Sequence, residues 1–93
     1  MATSSKRGVF AISVAAEMVS MEIQNLRVYE RRGLLRPDRT AGGTRLYSPD
    51  DIETLHRIRE LLAEGLNLAG IARVLVLEDR ITELEQRLDD HAG

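Results

Sequence analysis

Apolar residues fall along this chain in a series of short rhythms, and each rhythm predicts an element. Val9 to Ile12 is a brief apolar run, sized for a strand or an extended lead-in. Ser13 then offers a helix N-cap, a hydroxyl that accepts from an early helical N–H. The helix it opens runs through VAAEMV and makes Val14, Ala15 and Met18 available to a core. A tight turn near Ser20 precedes a second helix over roughly residues 23–32. There Ile23, Leu26 and Glu30 keep the i, i+3, i+7 spacing, although the apolar stripe is thin. Gly33 stands where a left-handed residue closes a helix. Leu34-Leu35 re-enters the core, and Pro37 blocks any further helix.

Beyond Pro37 the pattern changes to strand, turn, strand: Arg39-Thr40, then Ala41-Gly42-Gly43, then Thr44 to Tyr47. Paired glycines supply the positive φ of a tight hairpin. Ser48-Pro49-Asp50-Asp51 is a strong helix start, with a hydroxyl cap, a proline in the first turn and two acids at the positive dipole end. Ile52, Leu55, Ile58, Leu61 and Leu62 give the third helix one apolar face, and Gly65 ends it. Asn67 caps a fourth. In it Leu77, Ile81, Leu84 and Leu88 alternate steps of four and three, as a coiled-coil seam does. That seam either folds back on its own domain or pairs with a second chain, and a solvated apolar stripe usually marks an interface.

A chain of 93 residues allows one small domain and an appendage. The organisation expected is a flexible tail over 1–8, a domain over 9–75, and a dimerisation helix with a short tail over 76–93. The N-terminal MATSSKRG lacks the apolar segment of a signal peptide. No apolar run reaches the roughly 18 residues of a membrane span. The absence of cysteine removes disulfides, thiolate metal sites and thiol redox chemistry, and fits a reducing cytoplasm.

The net charge of −2 conceals a division. Residues 1–47 carry eight basic against four acidic side chains, whereas residues 48–93 carry five arginines against eleven acids. Local potential governs attraction to phosphate, so the front half has the charge a nucleic-acid surface needs. Leu26 to Tyr47 places a helix directly before an arginine-flanked hairpin, with Tyr29 and Tyr47 interleaved. A helix fits the major groove, and arginine beside a glycine turn suits phosphates or a narrow minor groove. DNA binding is therefore the leading expectation. Gln24, Asn25 and Val28 should face bases. Arg27, Tyr29, Arg31, Arg39 and Arg45 should serve the backbone, with Tyr29 equally a core residue whose hydroxyl reaches the rim. Tyr47 is a further DNA-contact candidate, partly structural. Leu77, Ile81, Leu84 and Leu88 should form the dimer seam. Neither His56 nor His91 has a metal-like partner at helical spacing, and no phosphate loop or nucleophile motif occurs. No catalysis, metal or cofactor is expected.

The run LRVYERRGLLRPDRTAGGTRLYSPDDI resembles the DNA-binding domain of MerR-family transcription regulators. The resemblance rests on Leu26, Arg27, Tyr29, Glu30, Gly33, Leu34, Leu35, Pro37, Arg39, Gly43, Arg45 and Tyr47, and covers about residues 10–77. ISVAAEM, RTAGGTRLYSPDDI and EGLNLAGIARVL narrow the likeness to the heat-shock repressor branch, HspR. What the resemblance implies is a mainly α, winged helix-turn-helix fold with a C-terminal coiled-coil helix. It implies a cytoplasmic, nucleoid-associated homodimer that represses chaperone operons at inverted repeats, with a DnaK-type chaperone as co-repressor. Glu22 and Asn25 replace the family's small polar residues at the start of the second helix. The effector domain of many members and a hydrophobic chaperone-binding tail have no counterpart before Gly93. Two other classes stay open: an excisionase-like or architectural DNA-bending protein, and a coiled-coil protein-interaction module.

Overall fold

The computed structural model describes residues 5–92. In chain order the elements are β1 (Phe10–Ala11), α1 (Ile12–Val19), α2 (Ile23–Arg31), β2 (Asp38–Arg39), β3 (Arg45–Tyr47), α3 (Pro49–Ala63) and α4 (Leu68–Ala92). They fall into two compact units, Met1–Glu60 and Leu61–Gly93.

In the first unit three short antiparallel strands lie in the order β1-β3-β2. Phe10 faces Tyr47 and Ala11 faces Leu46 across one pair, while Asp38 faces Leu46 and Arg39 faces Arg45 across the other. The turn between β2 and β3 closes with Thr40 N–H donating to the Thr44 carbonyl and Gly43 N–H to the Thr40 carbonyl, both at 2.9 Å. Of the paired glycines only Gly43 takes a positive φ, of 85°.

The start of α1 departs from expectation. Ser13 lies inside the helix, and the N-cap is Ala11, in extended conformation and without a side-chain cap bond. Backbone delivered by β1 already orients the first turn, so no capping hydroxyl is used. Ala15, Ala16 and Val19 are buried, whereas Val14 and Met18 are exposed. Small residues on the buried face let α1 approach its neighbours closely.

Both α1 and α2 end in one hydrogen-bond pattern. Ser20 N–H reaches the Glu17 carbonyl and Met21 N–H the Ala16 carbonyl; Gly33 and Leu34 repeat this against Glu30 and Tyr29. Such a termination needs a left-handed residue. Gly33 supplies it at φ 78°, and Ser20 adopts it at φ 55° despite its Cβ.

The start of α3 follows the sequence reading. Ser48 Oγ accepts from Asp51 N–H at 3.0 Å, and Asp51 Oδ2 accepts from Ser48 N–H at 2.9 Å, a reciprocal capping box. Ile52, Leu55 and Ile58 join Leu26, Tyr29, Leu35 and Tyr47 in the buried set. Residues 1–4 of the expected flexible tail lie outside the described residues. Residues 5–8 are tied to the domain. Asp50 N–H donates to the Ser5 carbonyl at 3.0 Å, and Gly8 N–H donates to Asp38 Oδ2 at 2.8 Å. A Cβ on Gly8 would strike the Leu46 carbonyl and lie 2.9 Å from Asp38 Cβ, so only glycine fits there.

In the second unit Asn67 Oδ1 caps α4 by accepting from Gly70 N–H at 2.8 Å. Leu61 and Ile71 are buried, but Leu62 is exposed. From Val76 onward Leu77, Ile81, Leu84 and Leu88 are all exposed. Glu83 pairs with Arg87 at 2.8 Å, supporting the helix from its polar side.

Candidate nucleic-acid interface

The faces of α2 sort its side chains by helical rotation. Leu26 and Tyr29 are buried. Gln24, Arg27, Val28 and Arg31 stand at i, i+3, i+4 and i+7, which puts them together on the opposite face. Gln24, Arg27 and Arg31 are exposed and Val28 is half-buried. Asn25, also exposed, flanks this face. Glu22 is the N-cap residue and makes no side-chain cap bond. No partner among the described residues engages the Arg27 or Arg31 guanidinium, so both hold donors available to an anion.

The hairpin of β2 and β3 is fastened to α2 by one carboxylate. Glu30 Oε2 accepts from Arg39 Nη2 at 2.8 Å, and Glu30 Oε1 accepts from Arg45 Nε. Arg39 and Arg45 are register partners across the two strands. Arg39 also donates through Nη1 to the Gly43 carbonyl at 3.1 Å, bracing the turn from inside. Burial alone would push the Glu30 carboxyl up. The hydrogen bond and charge of Arg45, with those of Arg39, outweigh it and hold the group below its ordinary 4.5. The hydrogen bond to Glu30 correspondingly raises the Arg45 guanidinium, which burial opposes. Two guanidiniums on one carboxylate leave the fork with a net positive charge.

Two of the expected DNA-contact residues are buried. Tyr47 is fully buried opposite Phe10, and its hydroxyl has no hydrogen-bond partner among the described residues. Tyr29 is 5 % exposed, on the Leu26 side of α2. Burial raises the phenol pKa of both, and the nearby Glu30 charge adds to the rise at Tyr47. Both rings belong to the core. A two-residue strand period and a helical period of 3.6 turn these positions inward.

Glu30 is the residue whose part in the site the sequence did not disclose. It reads there as a surface acid, or as the third member of a thin apolar rhythm. Its place one turn beyond Leu26 was the available signal, because that spacing holds it at the edge of the packed face, within reach of the hairpin.

A profile of the MerR HTH regulatory protein family matches residues 10–77, which spans both α2 and the hairpin. The chain belongs to the MerR helix-turn-helix family. A Streptomyces coelicolor protein that carries the name heat shock protein HspR is 50% identical over 86 residues, covering 91% of this MerR chain and 57% of that protein. The HTH-type transcriptional regulator GlnR of Bacillus anthracis is 37% identical over 75 residues, covering 81% of this chain and 58% of GlnR. The chain thus spans little more than half the length of these curated relatives. Among solved structures, HiNmlR, a MerR family regulator lacking the sensor domain and bound to promoter DNA, superposes with a TM-score of 0.65. It is 25% identical, over 86% of this chain and 67% of its own. GlnR and HiNmlR carry the names of regulators, and among the described residues no helix of this MerR chain is long and apolar enough to cross a membrane.

Proposed function

We propose that this chain is the DNA-binding and dimerisation portion of a transcriptional repressor that acts as a homodimer on inverted repeats. The observation that carries the reading is the joint surface of α2 and the hairpin. Gln24, Arg27, Val28 and Arg31 share one outward face, and Glu30 fixes the arginine-bearing hairpin to the same helix. In this reading Gln24, Asn25 and Val28 meet base edges in the major groove, where amide side chains match adenine. Arg27, Arg31, Arg39 and Arg45 hold phosphates, which orient the protein without reading sequence. Leu77, Ile81, Leu84 and Leu88 of α4 form the seam with a second copy, and two-fold symmetry then demands a two-fold operator.

HiNmlR bound to promoter DNA supports the groove assignment, and the likeness to HspR supports control of heat-shock genes. On that likeness a DnaK-type chaperone is the co-repressor, and the protein works in the cytoplasm at the nucleoid. The test is a genomic pull-down with the purified chain at near-physiological salt, sequencing the retained DNA with and without the chaperone. Recovery of a few inverted repeats upstream of chaperone genes, sharpened by the chaperone, is the expected result. Repeats elsewhere would discard the heat-shock assignment. Diffuse recovery with no shared sequence would replace the repressor with an architectural DNA binder.

A further inference from the structure

The carboxylate between the recognition helix and the hairpin has consequences for how sequence is read. Arg39 and Arg45 lie on adjacent strands, and among the described residues both are bonded to α2 through Glu30. The bond from Arg39 to the Gly43 carbonyl extends the same connection to the tip of the turn. Arg45 commits its Nε to Glu30, while its Nη1 and Nη2 have no acceptor among the described residues. A guanidinium held by one edge keeps its other donors for a second anion, and its orientation is set before that anion arrives. The side chains are 19 % exposed at Glu30, 32 % at Arg45 and 46 % at Arg39. The Arg39 pair is exposed and adds little to stability, whereas the Arg45 pair is part-buried, and together they orient the hairpin relative to α2.

We propose that Glu30 is a positioning residue for DNA recognition, fixing the hairpin arginines relative to the base-reading face of α2. This rests on the DNA-binding reading above and gives it a specificity mechanism. Phosphate contacts set the register in which a helix meets bases. With Glu30 in place, the arginines engage phosphates only where α2 is seated in one register. Without it, two mobile cations bind phosphate in many registers. Removing an acid from a DNA-facing surface ordinarily strengthens binding to every sequence. A positioning role instead separates operator affinity from affinity for mixed-sequence DNA.

The test compares the wild-type chain with Glu30→Gln, which keeps side-chain shape and removes the charge. Binding is measured against a duplex carrying an inverted repeat retained in the genomic pull-down, and against a mixed-sequence duplex of equal length. Nitrogen-15 NMR of the arginine Nε–H groups is recorded for both proteins without DNA. In the wild type, the Arg45 Nε–H signal should be protected from exchange, and Glu30→Gln should lose that protection with the fold intact. Operator affinity should fall about tenfold, with mixed-sequence affinity equal or higher. If both affinities rise equally, the carboxylate only damps charge and the proposal is overturned. Equal losses accompanied by a lower melting temperature would also overturn it, leaving a structural role. If the wild type binds neither duplex even at low salt, the DNA-binding reading itself fails and takes this proposal with it.

Discussion

The guanidinium of Arg59, on α3, donates from Nη1 to the backbone carbonyl of Val19, the last residue of α1, at 2.9 Å. Carbonyls at a helix C-terminus lack intrahelical donors and carry partial negative charge, so a cation there satisfies both needs. Arg59→Ala should destabilise the chain by about 1 kcal/mol, the ordinary value of one hydrogen bond. For a domain of this size that is a melting temperature lower by roughly 4–8 °C. Because Arg59 is not one of the side chains assigned to DNA contact, affinity for DNA at low temperature should be unchanged. Thermal denaturation followed by circular dichroism tests this, and an unchanged melting temperature would mean that water replaces the arginine without loss.

Just beyond Val19, Ser20 sits in the left-handed region at φ 55°. A Cβ in that conformation is strained by about 1–2 kcal/mol, and glycine relieves the strain at some cost in unfolded-state entropy. The net expectation for Ser20→Gly is a gain of about 0.5–1 kcal/mol. A urea titration would show the midpoint move upward with its slope unchanged. A downward move would mean that the serine hydroxyl contributes a bond outweighing the strain.

Much of this fold was legible in the sequence, and the failures share one cause. The Ser48 cap, the Asn67 cap and the closing glycines Gly33 and Gly65 were readable because each signal is local. Burial on α1 was not, because Val14, Ala15, Ala16, Met18 and Val19 are all apolar and only the docking of α1 decides which face is covered. Gly8 was passed over as tail, since its constraint comes from Leu46, far along the chain. The outward face of α2 could be placed because helical rotation follows from spacing. The tie between Glu30 and the hairpin could not, because it spans separate elements whose approach no local pattern encodes.

Tyr47 presents a buried hydroxyl without a partner among the described residues. An unsatisfied buried hydroxyl is a cost that phenylalanine removes while keeping the ring. Tyr47→Phe should therefore be neutral or more stable by about 1 kcal/mol, with operator affinity unchanged. A tenfold loss of affinity with stability intact would return Tyr47 to the interface and overturn its placement in the core.

Stability should also change at both ends of the pH scale. Tyr29 and Tyr47 have folded pKa values above 10.0, chiefly through burial. Their contribution is thus complete below about pH 10 and is lost as pH rises through the folded values. Glu30 has a folded pKa below 4.5, so its contribution is present above that pH and is lost as pH falls through the folded value. Urea midpoints measured across pH should fall on both limbs. Tyr47→Phe should flatten the alkaline limb, and Glu30→Gln the acid one. Parallel limbs in wild type and variants would assign the pH dependence to other groups.

The last prediction concerns α4. Leu77, Ile81, Leu84 and Leu88 repeat at steps of four and three and are exposed in the single chain, as is Val76 beside them. A helix stripe of this kind is stable in water when a partner covers it. Leu84 is the least exposed of the four, so a charge there would be the hardest to bury in a seam. Leu84→Asp should give monomers by sedimentation and leave the α2 face and its hairpin folded. Operator binding should weaken strongly, because one half-site contact replaces two, whereas binding to a single half-site should change little. A Leu84→Asp protein that still sediments as a dimer would show that α4 is not the seam. A monomer with full operator affinity would show that pairing is not needed to read the repeat.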